Sequence, residues 1–256
     1  MNIYAMFVIA WIWMMLTIGQ VAFPLLEVDA SFRLYYSNAV MLLTSGTAAV
    51  LCLMNASRMP KDSLLRRCWL LIGVGVGSWG LGQLVFAIYP LLNEGRDPPY
   101  PFYSDIGFLA SPLLIVAGLS YLYRSAQLRA PSMGLAAALL MAVLAGFWAY
   151  QANSGGMFTE EGGLPRTLVS FGYTLFDPIL LAATIFVASA FRRGTALSQA
   201  WWLVSAGLVV TIIGNQIWSY LVLTGVYQTG SVVDAAWSIG YGLIATAAAT
   251  VRRSLE

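Results

Sequence analysis

The sequence predicts an all-α integral membrane protein with eight transmembrane helices, folded as a single membrane domain over residues 1–256. Of the 256 residues, 59% are hydrophobic and only 9% are charged, which lies outside the range of soluble domains. The apolar residues form runs of about 20, the length that crosses a hydrocarbon core of about 30 Å. The runs are continuous and do not alternate with polar residues, which excludes a β-barrel.

Eight apolar segments follow one another, separated by short links that are polar or contain Gly and Pro. The first is too long for the core of a signal peptide and lacks a basic start and a cleavage site, so we interpret it as a helix. The predicted spans are Ile3–Pro24, Leu34–Asn55, Trp69–Leu92, Phe102–Tyr123, Met133–Gln151, Leu168–Ala190, Ala200–Leu223 and Ser231–Val251. These links leave no room for a soluble domain.

An internal repeat of four helices is predicted in each half of the chain. Asp105 and Asp234 lie 129 positions apart, and each opens an apolar run that ends at an arginine 19 residues later. The preceding runs also correspond, with Gly82-Gln83 in one copy and Gly214-Asn215-Gln216 in the other. Because four helices return the chain to the same side, the copies share one orientation about an axis along the membrane normal. They cover about residues 1–130 and 131–256.

The charge distribution predicts the orientation. If the amino terminus and the even-numbered connections are cytoplasmic, ten basic residues lie inside and three lie outside. This positive-inside bias predicts that both termini are cytoplasmic. The inner residues are Arg58, Lys61, Arg66, Arg67, Arg124, Arg129, Arg192, Arg193, Arg252 and Arg253, and the outer ones are Arg33, Arg96 and Arg166. Nine of the eleven acidic residues, Glu160 and Glu161 among them, lie outside and give an acidic outer face.

The composition also excludes several function classes. The chain has no histidine, which removes histidine-ligated haem and histidine general-base catalysis. Its single lysine, Lys61, lies in a loop, which excludes a retinal Schiff base within the bundle. No nucleophile–base pair or cluster of metal ligands is apparent. We therefore expect no enzymatic activity, cofactor, metal site or nucleic-acid partner.

Three aspartates, Asp105, Asp177 and Asp234, are candidate site residues. Each lies near the outer end of a helix that runs inwards. In one interpretation each carboxylate caps the helix that begins there, which contributes about 1 kcal/mol. In the other, the three carboxylates converge on one leaflet and line an outward-facing cup.

Amides within the third and seventh predicted helices form a second candidate set: Gln83, Asn215 and Gln216. An amide in hydrocarbon must face the bundle interior and find a partner. These amides either link helices, for instance through a bond from Gln83 to Asp105, or line the cup beside the acids. Such a cup favours cationic or hydrogen-bond-donating ligands.

Aromatic residues accompany the acids and amides, and three of them, Trp218, Trp237 and Tyr241, complete the candidate outer cavity. Aromatic faces near carboxylates bind organic cations. The alternative is the belt of Trp and Tyr that marks the interfaces of most membrane proteins. The candidate ligand is an unknown small molecule or lipid at the outer face.

Two stretches resemble a known family. Pro98–Asp105, followed by Gly107-Phe108-Leu109, is similar to a Pro-aromatic-Pro-Ser-x-Ala-Asp loop, and Thr224–Tyr241 is similar to a Gly-x-Tyr-x-x-Gly-x-x-x-Asp-x-x-Trp-x-x-Gly-Tyr ending. Both belong to the multi-helix membrane domain that precedes bacterial GGDEF, EAL and some histidine-kinase signalling modules. This sequence departs from the family at Gln83 and at Asn215-Gln216, where acids are common. The sequence stops a few residues past its last helix, so we expect either a separated sensor-type domain or a protein that works without an attached output.

The resemblance implies a non-enzymatic, multi-pass protein of the bacterial inner membrane that senses at its outer face. It would pass the signal to a cytoplasmic signalling protein, with the lipid bilayer as its other partner. Two alternatives remain: a small-solute transporter or channel, and a structural subunit of a larger membrane complex. The polar groups are concentrated in the outer half of the predicted bundle, which favours sensing over permeation.

Overall fold

The protein is all-helical, as predicted. A computed structural model describes residues 3–125, 131–158, 163–191 and 196–254, and within these ranges it contains eight α-helices and no strand. The helices are α1 (Ile3–Leu25), α2 (Ala30–Arg58), α3 (Leu64–Leu92), α4 (Ser104–Ser125), α5 (Ser132–Met157), α6 (Gly163–Ser189), α7 (Ala196–Leu223) and α8 (Ala235–Ser254). One turn of 3-10 helix, Val232–Asp234, precedes α8.

Seven of the described helices, α2 to α8, contain stretches long and apolar enough to cross a membrane. The chain is therefore a polytopic membrane protein. The described apolar part of α1, Trp11–Leu25, is shorter, and an eighth span remains a prediction. Several charges used to predict the orientation lie outside the described residues, namely Arg129, Glu160, Glu161, Arg192 and Arg193.

Several helices are longer than the apolar runs that predicted them. α2 begins at Ala30, four residues before the predicted start, because Asp29 caps it: the Asp29 carboxylate accepts a hydrogen bond of 3.0 Å from the Phe32 amide. α3 begins at Leu64 and α6 at Gly163, again ahead of their predicted starts. A prediction from apolar runs does not include the polar first turns of a helix, although these turns extend the helix beyond the hydrocarbon core.

Glycines allow α3 to approach α4 closely, and α7 to approach α8 in the same way. A Cβ atom added to Gly75 would lie 2.8 Å from Cγ1 of Ile115. A Cβ atom added to Gly207 would lie 3.0 Å from Cγ1 of Ile244. The two glycines are 132 positions apart and the two isoleucines 129, so the two helix pairs use corresponding residues at corresponding contacts. Small residues of this kind let helix backbones pack closely within a membrane.

The two halves meet where α2 packs on α8 and α4 packs on α6. Between them lies an apolar core in which the Trp69 ring of α3 contacts the Trp201 ring of α7, with centroids 4.8 Å apart. On the α2–α8 side, the buried Asn55 donates a hydrogen bond of 2.9 Å to the Ala248 carbonyl. We call the end of the bundle that carries connections 93–103 and 224–231 the acidic end, because Asp97, Asp105 and Asp234 lie there, and the opposite end the basic end.

The outer surface of the bundle is apolar, as lipid contact requires. Val143 and Phe147 of α5 are 69% and 67% exposed. A groove of about 610 Å³ between α1 and α8 is lined mainly by apolar side chains, among them Ile18 and Leu243. Exposed apolar area on this scale is far larger than soluble monomers carry, and the bilayer covers it here.

Because Gly207 lies against the backbone of α8, we expect Gly207→Ala to separate α7 from α8. The added methyl would lie 2.5 Å from the Gly240 carbonyl oxygen, and such overpacking costs about 1–3 kcal/mol. The control is Gly46→Ala, since nothing lies within 4 Å of a Cβ atom there. Thermal unfolding in one detergent should give a lower Tm for Gly207→Ala and an unchanged or slightly higher Tm for Gly46→Ala. If both variants have the same Tm, the close packing of Gly207 against α8 is contradicted.

Candidate functional site

A cavity of about 30 Å³ lies in the acidic half of the bundle, between helices from both halves. Its size allows one or two water molecules, or a ligand with about two heavy atoms. Seven of its ten lining side chains are aromatic, and we call it the aromatic cavity. The lining residues are Met41, Trp79, Gln83, Phe86, Phe108, Tyr173, Asn215, Trp218, Tyr227 and Trp237.

The walls of the aromatic cavity are rings that pack on one another across helices. Trp79 of α3 lies 5.2 Å from Phe108, 6.1 Å from Trp237 and 4.7 Å from Tyr241, measured between ring centroids. These separations are typical of stabilising aromatic pairs. Trp79 therefore joins α3 to both α4 and α8, and Tyr241 supports the wall from behind.

Asp105 binds both the connection before α4 and α6. One carboxylate oxygen accepts a hydrogen bond of 2.7 Å from the Phe102 amide, which belongs to that connection and not to the first turn of α4. The other accepts a hydrogen bond of 2.7 Å from the Tyr173 hydroxyl of α6. Only 3% of Asp105 is exposed, so both bonds are shielded from water. Asp105 thus links the two halves of the chain.

Asp234 is fully buried, and it also accepts a hydrogen bond from the other half of the chain. Its carboxylate accepts hydrogen bonds from the Ser37 hydroxyl of α2 (2.7 Å), the Tyr227 hydroxyl (3.0 Å) and the Gly230 amide (2.8 Å). That amide belongs to the connection before α8 and not to the first turn of α8. Ser37 in turn accepts a hydrogen bond of 3.0 Å from the Gln20 amide of α1. Burial, together with the charge of Asp234, raises the pKa of Tyr227, so its hydroxyl stays protonated and donates.

The predicted capping role is wrong for Asp177. α6 begins at Gly163, and Asp177 lies in the middle of that helix, 2% exposed. The polar first turns of α6 were not recognised as helix, which placed Asp177 too near its start. Its carboxylate accepts hydrogen bonds from the side-chain amides of Asn215 (3.1 Å) and Gln216 (2.8 Å). Asp177 is therefore a carboxylate within a membrane span, held by two neutral donors from α7.

The suggested bond from Gln83 to Asp105 is also wrong. The Gln83 amide donates a hydrogen bond of 2.8 Å to the Asn38 side chain of α2, because α2 faces α3 at this level. In the second half, Asn215 accepts a hydrogen bond of 2.7 Å from the Trp237 indole while its own amide binds Asp177. Both amides link helices and line the aromatic cavity at the same time.

All three buried carboxylates lie directly behind the wall of the aromatic cavity. Each accepts a hydrogen bond from one side chain that lines it, and among the described residues none forms an ion pair within 4.0 Å. The donors are all neutral, so among the described residues no positive charge accompanies these carboxylates. The pairs are Asp105 with Tyr173, Asp177 with Asn215, and Asp234 with Tyr227.

The predicted site residues occupy two layers. Gln83, Asn215, Trp218 and Trp237 line the aromatic cavity, whereas Asp105, Asp177, Asp234, Gln216 and Tyr241 lie behind its wall. Four polar partners were not predicted from the sequence: Ser37, Asn38, Tyr173 and Tyr227. Asn38 could have been predicted, because it is an amide inside an apolar run, like Gln83. The hydroxyls carried none, since Ser and Tyr are common in membrane helices and loops.

The connections 93–103 and 224–231 meet above the cavity. The Asp97 carboxylate accepts hydrogen bonds from the Thr229 hydroxyl (2.6 Å) and the Thr229 amide (3.0 Å). The Tyr100 hydroxyl lies 3.0 Å from the Ser170 hydroxyl of α6, and burial raises the pKa of Tyr100. Each connection is thus tied to the opposite half of the chain.

Comparison with family models, curated proteins and solved structures found no match for this chain. The resemblance to the membrane domains of bacterial signalling proteins therefore stays a prediction.

We expect Asp177→Asn to destabilise the protein by about 1–3 kcal/mol, because asparagine has one carbonyl oxygen for two amide donors and leaves one buried donor unpaired. Asp29→Asn is the matched control, since Asp29 is exposed and asparagine caps helices as well as aspartate does. Unfolding of both variants in the same detergent checks this. A Tm for Asp177→Asn equal to that of Asp29→Asn would refute the two-donor arrangement.

The links between the halves predict a second effect on stability. Tyr173→Phe and Ser37→Ala each remove one hydroxyl donor from a buried carboxylate, a loss of about 1.5–3 kcal/mol for a bond to a charged group. Tyr103→Phe, at a side chain that is 77% exposed, should leave the Tm unchanged. If Tyr173→Phe has the same Tm as the Tyr103→Phe control, the Asp105–Tyr173 bond does not stabilise the fold.

Proposed function

We propose that this polytopic membrane protein is a non-enzymatic sensor whose aromatic cavity binds a small primary ammonium ion at the acidic end. One observation carries the proposal: three buried carboxylates, which have no cationic partner among the described residues, lie one hydrogen bond behind an aromatic wall. The sensory role itself is supported by the resemblance of Pro98–Asp105 and Thr224–Tyr241 to the membrane domains of bacterial signalling proteins.

The chemistry of the wall favours a cation. Aromatic faces attract an ammonium ion placed within about 6 Å of the ring centroid, and the attraction grows when water is excluded. The carboxylates behind the wall add a negative potential that a low-dielectric interior screens weakly. The amides of Gln83 and Asn215 add hydrogen-bonding groups at the surface of the cavity. The small volume of about 30 Å³ favours ammonium or methylammonium over bulkier amines.

Sensing fits the arrangement better than transport does. A transporter needs polar groups along a path through the bundle. Towards the basic end, the described core is built instead from apolar residues such as Ile72, Ile115 and Ile244, together with the Trp69–Trp201 pair. A structural subunit would have no need for buried carboxylates without cationic partners behind a cavity.

We further propose that the two halves are copies of one four-helix unit, with both termini on the cytoplasmic side of a bacterial inner membrane. The corresponding contacts of Gly75 and Gly207 support the duplication, as do the reciprocal links of Asp105 and Asp234. The excess of basic residues in the predicted inner connections supports the orientation. In this arrangement the basic end faces a cytoplasmic signalling partner.

Binding is tested by isothermal titration calorimetry with methylammonium chloride and the protein in lipid nanodiscs. We expect saturable binding that weakens by about 2- to 30-fold in Phe86→Leu, because a wall ring is lost, which corresponds to about 0.5–2 kcal/mol. Phe147→Leu is the control, because Phe147 is lipid-facing. Tetramethylammonium should bind more weakly than methylammonium because it exceeds the cavity. Absence of saturable binding by folded protein, or equal weakening in both variants, would overturn the proposal.

A further inference from the structure

A second cavity, also of about 30 Å³, lies beneath the connection 93–103 at the acidic end. It shares Phe86, Trp218 and Tyr227 with the aromatic cavity, so these three side chains form the partition between the two. Its remaining lining comes from the connection and the adjoining helix ends: Asp97, Pro98, Pro99, Tyr100, Phe102, Ser104, Asp105 and Val222.

The second cavity has the same chemistry as the first, with one difference. Two carboxylates, Asp97 and Asp105, line it directly, whereas in the aromatic cavity all the carboxylates lie behind the wall. Aromatic rings of Tyr100 and Phe102 accompany them. A cation would therefore meet negative charge here before it reaches the aromatic cavity.

A pair of hydrogen bonds closes this region. Both oxygens of the Asp97 carboxylate are occupied by Thr229, one by the hydroxyl at 2.6 Å and the other by the amide at 3.0 Å. Thr229 is 5% exposed and belongs to the connection of the other half. The pair therefore fastens connection 93–103 to connection 224–231 at the edge of the second cavity.

We propose that the second cavity is the entrance subsite for the ammonium ligand, and that the Asp97–Thr229 pair is the latch that closes it. An ammonium ion donates hydrogen bonds to the same Asp97 oxygens that Thr229 occupies. The arriving ligand thus competes with Thr229, opens the latch and moves past Phe86 and Trp218 into the aromatic cavity. The inference rests on the proposed function, since it takes the same ligand and the same final site.

The test uses the full chain with Asp97→Cys and Thr229→Cys combined, joined by a short, reducible bis-methanethiosulfonate reagent. The native Cys52 and Cys68 are fully buried, so the reagent joins the introduced pair. Stopped-flow tryptophan fluorescence then follows methylammonium association in nanodiscs. We expect the association rate constant to fall at least tenfold in the cross-linked protein and to recover when the link is reduced. The comparison is between the cross-linked and the reduced forms of the same double variant, so the missing Asp97 carboxylate is common to both.

A complementary variant loosens the latch without a cross-link. Thr229→Val removes the hydroxyl donor and keeps the Asp97 charge, so association should become about 10- to 150-fold faster, the factor for one hydrogen bond to a charged group. If the cross-linked protein binds as fast as the reduced protein, the proposed role of the Asp97–Thr229 pair is wrong, while the aromatic cavity is still supported as the binding site. If the folded unsubstituted protein does not bind methylammonium at all, the proposed function fails first.

Discussion

A carboxylate buried among membrane-spanning helices must find hydrogen-bond donors inside the bundle, and this requirement determines how the acidic half of the protein is assembled. Leaving such a group unpaired costs far more than one ordinary hydrogen bond contributes. Asp105 on α4 takes its second donor from α6, and Asp234 takes one from α2. Each half therefore supplies a hydroxyl to the carboxylate of the other, and the α4–α6 and α2–α8 contacts are fixed together.

The close packing of α3 on α4 and of α7 on α8 provides the second condition for the cavity. Where glycines remove side chains from a helix contact, the neighbouring large rings have room to turn towards the bundle axis. Trp79 uses this room to reach Phe108 on one side and Tyr241 on the other. Deeper in the bundle, Gly75 and Gly207 pack against isoleucines. The cavity therefore lies where small residues and aromatic rings alternate, in the same layer as the polar groups.

The sequence was sufficient to predict the helical membrane class, and it placed four of the nine predicted site residues on the cavity wall. It succeeded there because an apolar run of about 20 residues has few other uses, and because an amide within such a run must face inwards. It failed at Asp177 because hydropathy locates the hydrocarbon-spanning part of α6 and not its first turns. It could not pair Gln83 with Asn38, or Asp105 with Tyr173, because those partners come from helices whose neighbours are decided by tertiary packing.

Under the proposed function, the same hydrogen bonds would connect the cavity to the basic end. Tyr173 and Tyr227 line the aromatic cavity, and their hydroxyls bind Asp105 and Asp234. A cation in the cavity attracts both carboxylates and polarises both rings, so it acts on bonds that join α6 to α4 and hold the start of α8. A ligand shifts an equilibrium only by its difference in affinity between two arrangements. Here that difference would arise at the α4–α6 and α2–α8 contacts. Because α-helices are stiff, a displacement there would reach the basic end as a relative movement of the two halves.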